Sequence, residues 1–272
     1  MDNEQMWSIS SGLCEIALGA AKEFLAEGNY KKAIEALQDA VNFGDPEAQK
    51  LLADCLYDGL GTEKDAEEAF SYYLLAANSG HIVAQRIVGL RYYFGDGVIE
   101  DKSKAVNWFK KAALQDDAVS QRLLGTCYFH GRGVEKNFFM AVEWFKMASD
   151  NGDIEALTCL GDCYREGKGV AIDLKKALDY YKKAALKDDP RAIDNIGFAY
   201  VTGEGVEQDA FSAVMYFKRA AEMGYAASQF NLGLCYLNGD GVEKDKEKAK
   251  EWIRKAAGQG LAPAKDLLRK LQ

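Results

Sequence analysis

The amino-acid sequence predicts an all-α protein built from a row of repeated helical hairpins. The 272 residues include only 3 prolines, and they are rich in Ala, Leu, Lys and Glu, which favour helix. A Gly-x-Gly motif returns six times at a constant interval of 36 residues. Small, aromatic and capping residues occupy matching places in each interval. A fixed period of this kind is typical of a solenoid of helical units.

The first helix of each repeat is predicted from the spacing of its small, aliphatic and aromatic residues. We number the repeats from residues 44, 80, 116, 152, 188 and 224. Small residues then fill the fifth and tenth places, aliphatic residues fill the ninth, and tyrosine fills the thirteenth except at Leu56. The fifth, ninth and thirteenth places are four apart and form one stripe of a helix, which we call helix A.

The two glycines of the motif are predicted to form a turn after helix A. A phosphate-binding loop would also use glycines, but six copies at a constant interval favour a structural role. In the second repeat, Gly95 is predicted to end helix A in a left-handed conformation. Gly97 then relieves the turn, and Val98 fills the hairpin.

A second helix follows each turn. It is preceded by Asp or Asn, whose side-chain oxygen can accept from a free first-turn N–H. Asp65 is such a residue, and Glu68 follows it in the spacing of a capping box. An alanine, a ring and another alanine then follow at helical spacing, as in Ala69, Tyr72 and Ala76. This pattern predicts an amphipathic helix that is aromatic on one side, which we call helix B.

The pattern Ala…Leu-Gly-x-x-Tyr-x-x-Gly-x-Gly-Val-x-x-Asp…Ala…Trp-Phe-x-x-Ala-Ala resembles the Sel1-like repeat, a relative of the tetratricopeptide repeat. The resemblance covers residues 44–259, and the first copy departs from it at Ala53 and Thr62. It implies a right-handed αα superhelix whose A helices line the concave side. It also implies scaffolding of complexes, in bacterial signalling, envelope or host-interaction pathways or in eukaryotic protein quality control.

The ends of the chain are predicted to differ from the repeats, as the ends of solenoids do. Residues 14–43 resemble a plain tetratricopeptide unit, and residues 1–13 form an N-terminal extension. Met6 and Trp7 are predicted to cover the first helix pair, with ligand binding as the alternative. Residues 260–272 are predicted to form a capping helix. The predicted repeats are 44–79, 80–115, 116–151, 152–187, 188–223 and 224–259.

Composition and charge argue against two classes of partner. The formal net charge is −8, whereas non-specific nucleic-acid binding needs a basic stripe. No uncharged apolar segment approaches the ~18 residues of a membrane span. The sequence opens Met-Asp-Asn-Glu-Gln, with no basic run before an apolar stretch. We therefore expect a cytoplasmic protein, unless a leader has been removed, with neither nucleic acid nor membrane as its partner.

The cysteines are predicted to be reduced and buried. Four of the 6 cysteines occupy the twelfth place of helix A. In disulfide-stapled relatives the partner cysteine lies near the end of helix B, where this chain has Ala or Ser. Cys159 and Cys163 lie four apart, which is poor disulfide geometry and only half a zinc site. Thiols acting as small hydrophobes fit a reducing compartment.

Catalytic chemistry is not predicted. Some relatives have been discussed as penicillin-binding or β-lactamase-like, but no serine here is followed by Lys in the Ser-x-x-Lys spacing. The acidic pairs Asp116-Asp117 and Asp188-Asp189 are predicted to be solvated helix starts. We therefore expect a protein that is not an enzyme and has neither cofactor nor metal.

A binding groove is predicted from helix A. The resemblance assigns its fourth, seventh, eleventh, fourteenth and fifteenth places to the concave side, where polar residues are the default. Many of these residues are instead apolar, aromatic or arginine, the composition of interface anchors. The alternative is that curvature packs these side chains together as additional core. The predicted partner-binding residues are Arg86, Leu90, Tyr93, Phe94, Arg122, Phe129, His130, Arg165, Phe198, Phe230 and Leu234.

The favoured function is a non-catalytic adaptor that binds a protein or peptide in this groove. A segment with a carboxylate-bearing portion would suit Arg86 and Arg122. One alternative is a β-lactam-binding or cell-wall-amide hydrolase activity. Another is a structural array that assembles through its ends. We expect a monomer, with end-to-end association as the alternative.

Overall fold

A computed structural model describes the backbone of residues 3–271 and the side chains of residues 12–271. Within that range every regular element is an α-helix, which confirms the predicted fold class. The side chains of Met6 and Trp7 lie outside the described residues. The fifteen helices of this range are α1 (Asn3–Ala26), α2 (Tyr30–Asn42), α3 (Pro46–Asp58), α4 (Ala66–Asn78), α5 (Ile82–Phe94), α6 (Lys102–Ala113), α7 (Ala118–His130), α8 (Phe138–Asp150), α9 (Ile154–Glu166), α10 (Leu174–Ala185), α11 (Pro190–Thr202), α12 (Ala210–Glu222), α13 (Ala226–Asn238), α14 (Lys246–Gly258) and α15 (Ala262–Lys270).

The helices follow the predicted alternation within two compact units, residues 1–137 and residues 138–272. Odd-numbered helices from α3 to α13 are A helices, and even-numbered helices from α4 to α14 are B helices. In the first unit each helix from α1 to α7 packs against the next along the chain, and in the second unit the same holds from α8 to α15. This nearest-neighbour packing is that of a solenoid.

The two motif glycines have different structural roles. Gly95 is the C-cap of α5, with φ 70° and ψ 41°, and its N–H donates to the carbonyl oxygen of Arg91. A Cβ is strained in this left-handed conformation, which confirms the predicted helix end. Gly97 lies against the start of α4 in the preceding repeat, where a Cβ would overlap the carbonyl oxygen of Ala66. The second glycine therefore permits close packing between repeats as well as the turn.

Acidic side chains cap both types of helix. Asp65 caps α4 by accepting from the backbone N–H of Glu68 at 2.8 Å, as predicted. Asp117 caps α7 by accepting from Ser120 at 2.7 Å. The prediction of solvated helix starts is wrong for Asp189, which is buried because its carboxylate caps α11 and also accepts from the Thr158 hydroxyl.

Large side chains of helix B explain the small residues of helix A. A Cβ added at Gly89 would overlap the ring of Phe109, and one at Gly161 would overlap the ring of Tyr181. These rings occupy the thirtieth place of the repeat and are buried. The sequence pattern had pointed to a different ring, at the twenty-ninth place of the repeat. That ring is only partly buried in several copies, including Trp108. Sequence reasoning thus identified the aromatic helix but not its central core residue.

The ends of the described chain are helical. Helix α1 begins at Asn3 and continues without a break through the predicted boundary between residues 13 and 14. Helix α15 buries Ala264 against α14, and Leu267, Leu268 and Leu271 pack on the same cluster. Among the described helices, none has the length and apolar content needed to span a bilayer.

Four of the six cysteines are buried as predicted, namely Cys55, Cys127, Cys163 and Cys235. Cys14 and Cys159 are only partly buried, so the prediction of full burial does not hold for them. Burial raises the pKa of Cys235 to about 11 and that of Cys163 to about 12. These thiols are therefore protonated at neutral pH and behave as small hydrophobes.

Candidate functional site

The candidate site is the surface formed by the fourth, seventh, eleventh, fourteenth and fifteenth places of the A helices, which we call the helix-A face. The fourth, seventh, eleventh, and fourteenth or fifteenth places are three or four residues apart, so their side chains share one side of the helix. Predicted residues of this face fall in both compact units. The two sets are described separately.

In the first unit the helix-A face carries exposed and tethered aromatic side chains. Phe94 is 69% exposed and contacts the half-buried ring of Tyr93 edge to face at 5.0 Å. The Tyr93 hydroxyl accepts from the Arg132 guanidinium at 2.8 Å. In the next A helix, Phe129 and the exposed His130 have ring centroids 5.0 Å apart. The structure thus pairs the predicted aromatic residues and leaves one member of each pair open to solvent.

Two arginines of the helix-A face, Arg86 and Arg165, are held by carboxylates of the chain itself. Arg86 donates to the Asp117 carboxylate of the following repeat at 2.6 Å. In the second unit Arg165 lies 3.0 Å from Glu166 and 3.9 Å from Asp162. A partner's carboxylate would have to compete with these groups, and the acidic ligand expected for Arg86 and Arg122 stays a prediction. Leu90 and Arg122 are both half-buried.

Two carboxylates of the second unit organise polar contacts between repeats. Asp162 accepts from the Tyr181 hydroxyl at 2.7 Å and from Asn195 at 3.3 Å, and it also pairs with Arg191. Burial raises the pKa of the Tyr181 hydroxyl, and the Asp162 charge adds to this effect. The charge of Asp162 is therefore largely neutralised by neighbouring groups.

Asp194 is the second carboxylate, one repeat further along. It accepts from the Ser228 hydroxyl at 2.6 Å and from the Asn231 amide at 3.0 Å. Burial raises the pKa of the Asp194 carboxyl, while these two hydrogen bonds oppose the rise. Hydrogen-bond donors stabilise the charged form but do not fully offset the loss of water.

An open pocket of about 510 Å³ lies between α11, α12 and α13. This volume is in the range of ~300–1,000 Å³ found for ligand pockets. Phe198, Val201 and Leu234 give the pocket an apolar wall, while Asn231, Asn238 and Asp240 supply polar groups. Phe198 and Val201 are 41% and 47% exposed, so this wall is open to solvent.

The pocket includes two of the predicted binding residues of the second unit, Phe198 and Leu234. Phe230 instead packs against the C-terminal cluster around Ile253. Sequence reasoning missed the polar lining of the pocket. A signal for Asn231 was present, since the eighth place of helix A is Leu, Ile, Leu and Cys in the first four repeats and Asn in the last two.

The chemical groups of the site are mainly apolar side chains and side-chain amides. Among the described residues, no group of three or more His, Cys, Asp and Glu side chains is placed to hold a metal ion. The thiol of Cys235, which lines the pocket, has its pKa raised to about 11 by burial. It is therefore a weak candidate for a nucleophile at neutral pH. Apolar contact area and side-chain amides remain as the means of recognition.

A family comparison matches the Sel1 repeat to six consecutive segments of the chain. The segments are residues 46–81, 82–117, 118–153, 154–189, 190–225 and 226–261. They begin two residues later than the frame predicted from the sequence and keep the same period. No curated protein matches the chain.

Solved structures of similar proteins share the fold. A Sel1 repeat protein from Oxalobacter formigenes is 34% identical with a TM-score of 0.83, over 88% of this chain and 96% of that one. A protective antigen of uropathogenic Escherichia coli, c5321, which displays an SLR fold, is 32% identical with a TM-score of 0.78. The match covers 86% of this chain but 50% of the antigen. The immunity protein Pa5087 from Pseudomonas aeruginosa shares the fold at 20% identity, with a TM-score of 0.52 over 80% of this chain and 83% of that one.

Proposed function

The chain belongs to the Sel1 repeat family, and on this premise we propose that it is a non-catalytic scaffold that binds a protein or peptide through its helix-A face. Sel1 repeats form a helical scaffold that is commonly used for protein interaction. The finer proposal is that the A helices of this chain carry the partner-binding residues.

The observation that carries the proposal is the solvent exposure of apolar side chains where a solenoid surface is normally polar. Phe94 is 69% exposed in the first unit, and Phe198 and Val201 are 41% and 47% exposed in the second. Apolar side chains clustered on a surface are typical of interaction sites. Burying such a side chain in an interface contributes about 1.5–3 kcal/mol, enough to act as an anchor.

Two further parts of the proposal rest on the side-chain chemistry of the described residues. The Ser228 hydroxyl, for example, donates to the Asp194 carboxylate of the preceding repeat, and this structural use of a serine supports a role without catalysis. Buried thiols such as Cys127, whose pKa is raised to about 11 by burial, support a cytoplasmic location, because reducing compartments preserve such thiols.

The proposal is tested by capturing partners from a cell lysate on the immobilised 272-residue chain. Phe94→Ser and Phe198→Ser are placed together in one variant, which removes an exposed ring from the helix-A face in each unit. We expect loss of the proteins that the unaltered chain captures, by about tenfold or more, because interface anchors carry most of the binding energy.

A matched variant separates the helix-A face from general surface hydrophobicity. Leu114 and Leu186 are 66% and 82% exposed at the ends of B helices. The double change Leu114→Ser with Leu186→Ser should leave the captured proteins unchanged. The proposal would be contradicted if both double variants lost the captured proteins equally. It would also be contradicted if the Phe94→Ser, Phe198→Ser double variant, which we call the helix-A variant, kept the captured proteins while its circular dichroism remained helical.

A further inference from the structure

The pocket between α11, α12 and α13 points to the chemistry of the partner. We infer that this pocket binds an extended peptide segment with an apolar anchor side chain and an adjacent Lys or Arg. The inference rests on the proposed function and names the ligand class of one part of the helix-A face. The carboxylate-bearing ligand suggested by the sequence concerned Arg86 and Arg122 of the first unit, whereas this pocket lies in the second unit.

The apolar wall of the pocket selects the anchor. Phe198 and Val201 come from α11, and Leu234 comes from α13 one repeat later. All three remain partly or largely open to solvent. The pocket surface continues to Ala210, which precedes Phe211, a residue that is 65% exposed at the start of α12. A Leu or Phe side chain inserted here would remove apolar surface from water on both partners.

The polar lining favours an extended backbone. Asn231 uses one amide N–H to donate to Asp194, and Asn238 uses one to donate to Asp240 at 3.1 Å. Each amide also has an oxygen and a second N–H, which can pair with a peptide C=O and N–H. An extended segment presents both groups, whereas a helix uses its main-chain groups internally.

The charge of the pocket favours a basic neighbour for the anchor. Asp240 is the one charged residue among those that line the pocket, and within the described residues it enters no ion pair. Glu204, Glu207 and Asp209, in the loop that leads into α12, are not among the residues that line the pocket. Lys244 in the following loop is not among the lining residues. Charge complementarity therefore favours a cationic ligand over an anionic one.

Close packing holds the pocket in place. A Cβ at Gly241 would overlap the backbone of Ala210, so the loop after α13 packs directly on the start of α12. The Gln208 amide donates to the carbonyl oxygen of Val201 at 3.1 Å, which joins the loop before α12 to the end of α11. The rings of Tyr200 and Tyr216 stack at 5.6 Å. A site fixed in this way loses less conformational freedom when it binds a ligand.

The test uses three pools of short, terminally blocked fluorescent peptides, each with a central Leu or Phe. The pools differ only in the flanking residues, which are Lys and Arg, Asp and Glu, or Ser and Gln. Fluorescence polarisation with the 272-residue chain should show the tightest binding for the basic pool. Phe198→Ser should weaken that binding about tenfold, and Asp240→Asn about two- to fivefold, as expected for an exposed charge pair.

Matched variants place the effect at this pocket. Leu114→Ser changes an exposed apolar side chain just after α6, and Asp39→Asn changes an exposed carboxylate in α2, both outside the helix-A face. Neither should alter the affinity for the basic pool. Asp240→Lys should shift the preference towards the acidic pool.

The outcomes distinguish this inference from the proposed function. The acidic or neutral pool could bind as tightly as the basic pool or more tightly, with the binding still lost in Phe198→Ser. That result would overturn the preference for a cationic ligand but would agree with binding through the helix-A face. If no pool binds while the helix-A variant still loses its captured partners, only the inference fails. If that variant also keeps its partners, both fail. A concentration-dependent dimer in light scattering that Phe198→Ser abolishes would assign the pocket to a second copy and overturn the inference.

Discussion

At the scale of single residues, glycine serves two different physical purposes in the second repeat. Gly95 supplies a left-handed backbone at the end of α5. Gly89 lies inside the same helix, where its lack of a side chain makes room for the ring of Phe109. The first role follows from backbone conformation, and the second follows from packing.

The packing role predicts an unusual response to alanine. Gly→Ala inside a helix usually stabilises by about 0.5–1 kcal/mol. At Gly89 the added Cβ would overlap the Phe109 ring, so we expect Gly89→Ala to lower the free energy of unfolding by about 1–3 kcal/mol. Urea denaturation followed by far-ultraviolet circular dichroism measures the change.

Gly19 provides the matched control, because a Cβ there would meet no atom within 4 Å in α1. Gly19→Ala should raise the free energy of unfolding by about 0.5–1 kcal/mol. A rise in both variants would show that the Phe109 ring can move aside at little cost.

The Asp194 carboxyl predicts a pH dependence. Because burial raises its pKa in the folded state, the folded protein binds more protons between the unfolded and folded pKa values. The free energy of unfolding therefore falls as the pH rises through that window. Asp194→Asn removes this loss, so the variant should be more stable than the unaltered chain at pH 7. The free energy of unfolding should rise by ~1.4 kcal/mol for each tenfold difference in the proton affinity of the Asp194 carboxyl between the folded and unfolded states.

Denaturation at pH 4 and pH 7 tests this prediction, since the advantage of Asp194→Asn should shrink at the lower pH. Asp179→Asn, at an exposed place in α10, serves as the control and should show no such advantage. An Asp194→Asn variant that is less stable than the unaltered chain at pH 7 would mean that the Ser228 and Asn231 hydrogen bonds outweigh the cost of burial.

At the scale of helices, caps fix where each element begins and neighbouring helices decide whether it remains docked. Asp65 and Asp117 illustrate the first point, with cap distances of 2.8 and 2.7 Å. Such a cap contributes about 1 kcal/mol, which is less than a short helix needs to be stable alone. Packing on the next helix therefore supplies the rest.

Helix α15 tests this dependence on packing. Ala264 is fully buried against α14, at the place that is small in every repeat. Ala264→Glu would bury an unpaired charge, which costs more than the docking of a short helix returns. We expect α15 to detach, with loss of amide-exchange protection in residues 262–270 and partial loss in α14, while α9 to α12 keep theirs.

Ala262→Glu is the control for this prediction. Ala262 is exposed in the first turn of α15, where a negative charge is favourable. Protection should be unchanged or slightly higher. Retained protection of α15 in Ala264→Glu would show that the helix can shift to expose the charge.

At the scale of the whole molecule, the repeats conserve their packing places and vary their helix-A face. The buried rings of Phe109 and Tyr181 occupy the same place in two repeats. The eleventh place of helix A, in contrast, is Leu90 in the second repeat, Asp162 in the fourth and Phe198 in the fifth. A scaffold of this kind can change its ligand without changing its fold, because these differing places lie outside the fully buried core.

The sequence by itself determined the helical class, the period and the hairpin turns of this protein. These features follow from local properties such as helix propensity, the left-handed backbone at Gly95 and the cap at Asp65, which are written in a few neighbouring residues. The helix-A face could also be assigned from sequence. In the structure the Phe94 and Phe198 side chains of this face are exposed, whereas the role of the face in binding stays a prediction.

Only the tertiary structure decided which side chains of that face have partners within the chain. The Arg86 contact to Asp117 and the Asn231 contact to Asp194 each join residues more than thirty places apart. The pocket around Phe198 and Leu234 likewise combines two repeats. Periodicity fixes the face of a helix on which a residue lies, but not which group from the next repeat contacts it, because that depends on how the repeats pack in three dimensions.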